Sequence, residues 1–161
     1  MRPLVLLSGL VVMVVTGGCG GGGGTPDADE ALACVTSGRG DLYAVGLEHP
    51  GTGGLLDFKL MSADPAPPGR YLNTWIIQIH SMSSGVVGAP VTGATMIVTP
   101  YMPDHQHGAG AYRVQVQEMA DAGQYQLSQI NTWMPGYWEI TIDATAGGVH
   151  DTVVYKFCIQ S

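Results

Sequence analysis

Tyr101-Met-Pro-Asp-His-Gln-His-Gly108 is the stretch of this chain richest in groups that could do chemistry. His105 and His107 stand two apart, and in an extended segment residues i and i+2 project to the same side. Two imidazoles presented together make a natural half of a metal site. Met102, three residues upstream of His105, offers a thioether. Thioether with imidazole suits copper: imidazole serves either oxidation state, and sulfur favours Cu(I). Zinc would want a further His, Cys or carboxylate, and Asp104 is the only local candidate in the sequence. Histidine binds a metal only when deprotonated, so such a site weakens below about pH 6. The same residues admit plainer readings: a solvated polar loop, with Met102 before Pro103 capping the core. Met119 reads as packing, and His49, His80 and His150 as scattered surface or hydrogen-bonded residues. Met134-Pro-Gly136 reads by itself as a turn before a strand. Enzymatic function is not expected. The sequence contains no nucleophile elbow and no carboxylate pair at a strand end, and it offers no nucleophile for His105 and Asp104 to activate.

The elements around this loop are strands. Period-two alternation puts Trp75, Ile77 and Ile79 on one face of a strand over Tyr71–Met82. It does the same for Trp138, Ile140 and Ile142 within Tyr137–Asp143, and for Val153, Tyr155 and Phe157 within Val149–Ile159. Further strands are expected over Asp41–Glu48, Leu55–Ser62, Val91–Thr99, Tyr112–Glu118 and Gln124–Thr132, with Ser83–Pro90 a loop. Asp64-Pro-Ala-Pro-Pro-Gly69 is a hard break, because proline cannot donate to a ladder. Met119–Gly123 reads as a turn. About eight short strands with no convincing amphipathic helix predict an all-β fold, a sandwich or barrel, whose core is built on Trp75, Trp138 and Ile140.

Composition agrees. The chain has 161 residues, 45% hydrophobic and 12% charged, which suits one folded domain rather than a disordered tail. A net charge of −7 excludes the clustered cations that nucleic-acid binding needs. The 24 glycines follow no Gly-X-Y period, which excludes collagen.

The first residues are an address. Met1-Arg-Pro precedes an apolar run from Leu4 to Val15 that suits a secretory h-region and is too short for a membrane span of about 20 residues. Thr16-Gly-Gly-Cys19 resembles the bacterial lipoprotein cleavage box, with Thr16 where leucine is usual. Residues 1–18 are thus expected to be removed, Cys19 lipidated, and 19–33 a Gly-rich flexible tether to a domain over 34–161; plain secretory cleavage is the alternative. Several acyl chains would anchor stably where one would not. No aspartate follows Cys19, so in a Gram-negative cell the expected home is the periplasm-facing outer membrane. Cys34 and Cys158 remain, and in an oxidising compartment a disulfide is the default. A loop this long would gain about 4–5 kcal/mol in the chain-entropy model. Metal-binding or redox thiols are the alternative, without C-x-x-C spacing.

Ala94-Thr-Met-Ile-Val-Thr-Pro-Tyr-Met-Pro-Asp-His-Gln-His-Gly108, then Gly123-Gln-Tyr125, then Met134-Pro-Gly-Tyr-Trp-Glu-Ile-Thr-Ile142 resemble the YtkA-like domain in kind, order and distance. The resemblance covers about 90–158 well and the front of the domain loosely. It implies an immunoglobulin-like β-sandwich of about seven to eight antiparallel strands. It also implies copper, because such domains are akin to extracytoplasmic modules of copper handling and cytochrome oxidase assembly, and a protein of that kind would be the partner. Carried over by position, the copper ligands would be Met102, His105, His107 and Met134. For this the two motif loops must fall at one end of the sandwich, with Trp138 packed beneath. A metal-free interaction module using Tyr101, Met102 and Pro103 as a contact patch is the alternative function.

Overall fold

Alternating apolar and polar side chains build two antiparallel sheets. The computed structural model describes residues 26–160. The expected export signal, the expected lipidation site Cys19 and the glycine run lie outside the described residues. In chain order the elements are α1 (Pro26–Thr36), β1 (Leu47–Pro50), β2 (Leu56–Asp64), β3 (Tyr71–Ser83), β4 (Val86–Pro90), β5 (Thr95–Met102), β6 (His107–Gly108), β7 (Gln115–Glu118), β8 (Gln124–Thr132), β9 (Gly136–Ala146) and β10 (Val149–Ile159). One sheet runs β1-β2-β3-β8-β7, with β4 also on β3; the other runs β10-β9-β5-β6. On the side of β3 away from β2, β8 pairs with Tyr71–Gln78 and β4 with the rest.

The three alternating triplets expected in the core are buried: Trp75, Ile77 and Ile79; Trp138, Ile140 and Ile142; Val153, Tyr155 and Phe157. Trp75 joins the sheets, meeting the rings of Tyr155 and Phe157 edge-on at 5.9 and 5.4 Å. Such pairs add about 0.5–1.5 kcal/mol each beyond the area they bury. Gly123, at φ +74°, ends the expected turn. A Cβ there would stand 2.7 Å from the Ile79 carbonyl oxygen, so β3, β4 and β8 meet only because that residue is glycine.

Four expectations need correction. The described residues form ten strands where about seven to eight were expected. Residues 41–46 form no strand: Asp41 fastens to β10 instead, its N–H donating to the Lys156 carbonyl and its carboxylate accepting the Lys156 N–H. The expected loop before Pro90 contains β4, an edge strand whose five residues are all exposed, so it has no alternation to read. Finally, residues 26–33, assigned to the tether, belong to a helix. Ala31 and Cys34 bury one face of α1 against β9 and β10, and Cys34 is joined to Cys158 with the Cα atoms 5.6 Å apart. No helix among the described residues is long and apolar enough to cross a membrane.

Candidate metal centre

The histidines do not lie along one extended segment, as their spacing suggested. A tight hairpin brings them together. The His105 N–H donates to the Met102 carbonyl and the Gln106 N–H to that of Pro103, and Gln106 takes a left-handed φ of +55°. The chain therefore reverses after β5, and Met102 pairs with His107 across the β5–β6 ladder. Cross-strand partners project to the same face. Here that is the inner face, where Met102 is 0% exposed, so the reading of Met102 as part of an exposed contact patch is corrected.

His107 lies in an aromatic box. Its ring stacks on Trp133 at 4.9 Å and meets Trp138 edge-on at 5.8 Å. Its Nδ1 lies 3.2 Å from the Gly108 carbonyl oxygen, while its Nε2 is buried with no hydrogen-bond partner. His105 sits in the hairpin turn with its ring 5.8 Å from that of His107. Met134 occupies the β8–β9 turn, directly after Trp133, and is partly buried against the core. Its carbonyl accepts a 2.9 Å bond from the fully buried Trp138 indole N–H, so the tryptophan beneath the turn fixes it. The two motif loops thus fall at one end of the sandwich. Four donors from the sequence lie there: Met102 and His107 paired in register, His105 in the turn between them, and Met134 in the facing turn.

Asp104, the local carboxylate considered for zinc, is engaged elsewhere. Arg39 grips both its oxygens, at 2.6 and 2.9 Å, while its guanidinium covers the Tyr137 ring at 4.1 Å. That hydrogen-bonded guanidinium holds the Asp104 carboxyl below the usual carboxylate range. Burial, and then the hydrogen bond to Glu139, push the Tyr137 hydroxyl up to about 12.

One participant was missed in the sequence. Glu30 of α1 places Oε1 and Oε2 at 2.7 and 2.8 Å from His105 Nε2. Helix-start signals were present, with Pro26 and the acids Asp27, Asp29 and Glu30 at the head of a periodic stretch, but nothing local pointed from Glu30 to a residue 75 positions on.

Among the described residues, no group of three or more His, Cys, Asp or Glu side chains converges as a metal site. A metal-binding set at this end therefore needs its thioethers. Beside it runs a groove of about 700 Å³ between β5 and the chain after β6, lined by Ile97, Pro100, His107, Tyr112, Arg113 and Trp133.

Of the scattered histidines, His150 is exposed, 3.8 Å from Asp143. His49 and His80 correct the expectation of ordinary surface or hydrogen-bonded residues. His49 Nε2 is buried 3.4 Å from Asp41 Oδ2 without hydrogen-bond geometry, and His80 Nδ1 is buried without a partner. Asp57, paired with His80 across β2–β3, is 2% exposed. Burial, reinforced by nearby Glu48, pushes its carboxyl up. No thioether stands among the strand partners of this group.

No family model matches the chain, and no curated protein or solved structure proved similar to it.

Proposed function

We propose that this protein is an exported, lipid-anchored β-sandwich that binds copper through Met102, His105, His107 and Met134 and carries it in the cell envelope, as a transfer or resistance factor rather than a catalyst. The observation that carries the reading is His107. Its Nε2 is buried without a partner in a box of tryptophans, beside the thioether of Met102. An unpaired buried polar atom costs about 1–3 kcal/mol, and a soft cation would relieve it. Imidazole with thioether is the donor chemistry that favours copper over harder ions. The Cys34–Cys158 disulfide fits an oxidising compartment, and the lipoprotein-like Thr16–Cys19 box supports the anchor. The likeness to YtkA-like domains points the same way and suggests a copper-handling or respiratory-assembly partner.

The test is a copper titration of the full-length protein in detergent, wild type against the double variant His105→Ala/His107→Ala. The expected result is one ion per wild-type chain and at least about a hundredfold weaker binding in the variant. Equal, absent binding in both overturns the proposal. The groove beside His107 favours a second reading, a metal-free contact surface for a protein partner, because Ile97 and Tyr112 are exposed there at 70% and 48%. Partner capture that survives the double variant and ignores copper would favour it.

A further inference from the structure

Glu30 is in an unexpected place for an acid near the head of a helix. Acids there are ordinarily solvated companions of the helix dipole. This one turns toward the body of the protein, and its side chain is only 24% exposed. Both carboxylate oxygens close on a single ring nitrogen of His105. The same carboxylate borders the space above Gly136. A Cβ on that glycine would lie 2.6 Å from Met102 Cε and 3.0 Å from Glu30 Oε1. The absence of a side chain at position 136 therefore gives a thioether methyl and a carboxylate oxygen one shared space. Glu30 touches the imidazole on one side and this space on the other.

The contact is also held from outside. Cys34 is one helical turn beyond Glu30 and therefore on the same face of α1, and its disulfide to Cys158 fixes that face against β10. Farther along, Arg39 grips Asp104, the neighbour of His105. The segment from Glu30 to Arg39 thus straps the His105 turn at two points, with a covalent bond between them.

We infer that Glu30 is the latch of this site: in the ion-free protein its carboxylate occupies His105 Nε2, and an incoming copper ion has to take that nitrogen from it. This rests on the copper reading given above. The exchange forms one bond from copper to His105 Nε2 and breaks the Nε2–H bond whose proton the carboxylate accepts; that proton leaves to water, or moves to Nδ1 as the ring changes tautomer, and the released carboxylate turns to solvent, to which it is already partly open. Helix α1 stays in place throughout, because the disulfide holds it. The consequence is a site whose affinity is held down by an internal competitor, as suits a protein that must give its ion away.

The experiment compares wild type, Glu30→Ala and Glu30→Gln, all full length in detergent with the disulfide intact, by competition for Cu(I) and for Cu(II) against chromophoric chelators. Circular dichroism and thermal melting establish that each variant is folded. Glu30→Ala is expected to bind copper about tenfold more tightly than wild type, with Glu30→Gln in between, since the amide keeps the size but loses the charge. The ¹⁵N resonance of His105 Nε2 should shift on loading in wild type and already be displaced in ion-free Glu30→Ala. Equal affinity in all three proteins overturns the latch and leaves the copper reading standing. Weaker binding in Glu30→Ala also overturns it, and makes Glu30 a ligand. No copper binding by any of the three overturns the latch together with the copper reading.

Discussion

Asp151 and His107 both set a polar side chain into the inner face of the four-stranded sheet, toward opposite ends of the sandwich. Asp151 pairs with Ala144 near the β9–β10 turn; His107 packs on Trp138 near the other end of β9. Asp151 is 2% exposed, yet it lacks nothing. Its Oδ1 accepts from the Gly53 and Thr152 N–H groups, and its Oδ2 from those of Leu55 and Leu56. Burial alone would raise its pKa; the four amide donors outweigh burial and hold the carboxyl below its usual range. His107 is left with a bare nitrogen. The difference separates two uses of a buried polar group. Asp151 closes a loop onto the sandwich and is satisfied by the chain it closes. His107 Nε2 is left unsatisfied by its own chain, and that orphaned atom beside soft donors is what supports the proposed site. Asp57 Oδ2 shows that an orphaned atom is not enough by itself.

Four substitutions would break or sharpen this contrast. The largest effect is expected from Trp138→Ala, which empties a fully buried position and releases the Met134 turn; the loss should be about 3–5 kcal/mol in denaturant unfolding, with copper binding weakened as well. Next, Asp151→Asn removes the charge that four amides share, at about 2–4 kcal/mol, without changing copper affinity. The sign of its pH dependence follows from the depressed carboxyl. The stability Asp151 adds is fully present above the unfolded value of about 3.9 and is lost as pH falls through the lower folded value. Acid titration of stability should therefore be steeper in wild type than in Asp151→Asn. His107→Phe should differ from both in stability: the ring can still stack on Trp133, the orphan disappears, and stability should be unchanged or rise by up to about 1 kcal/mol while copper binding is lost. A large loss of stability in His107→Phe would place His107 with Asp151 among structural groups. The smallest effect is expected for Arg39→Ala. It breaks an ion pair whose members are 41% and 37% exposed, and thermal melting should register no more than about 0.5 kcal/mol.

Much of this end of the molecule could be read from the sequence because it is written in alternation. β8 and β10 begin and end where the period-two pattern of Gln124–Thr132 and Val149–Ile159 does. Trp75 and Trp138 are central because large apolar residues at alternate positions have no other place to go. Two cysteines left over in a chain expected to be exported predicted the disulfide. What was not legible depends on contacts distant in sequence. β4 has no buried face, since pairing with β3 alone makes it a strand. Residues 41–46 look like a strand and instead follow β10 by way of Asp41. Helix α1 followed a glycine run, and its two largest apolar side chains, Leu32 and Val35, are exposed, so its burial through Ala31 and Cys34 could be seen only once β9 and β10 were in place. At the candidate site the four donors could be named, but not the hairpin that turns His107 inward, nor the glutamate that reaches His105 from the start of the domain.

The Cys34–Cys158 bond joins the beginning of the folded body to its last strand. Mechanically it is a short circuit. Tension between the chain's two ends would pass from one sulfur to the other and leave the residues between them slack. Pulled between its two ends, the body would thus keep its sheets from being unzipped, while the turn of α1 ahead of Cys34, which carries Glu30, would bear the load.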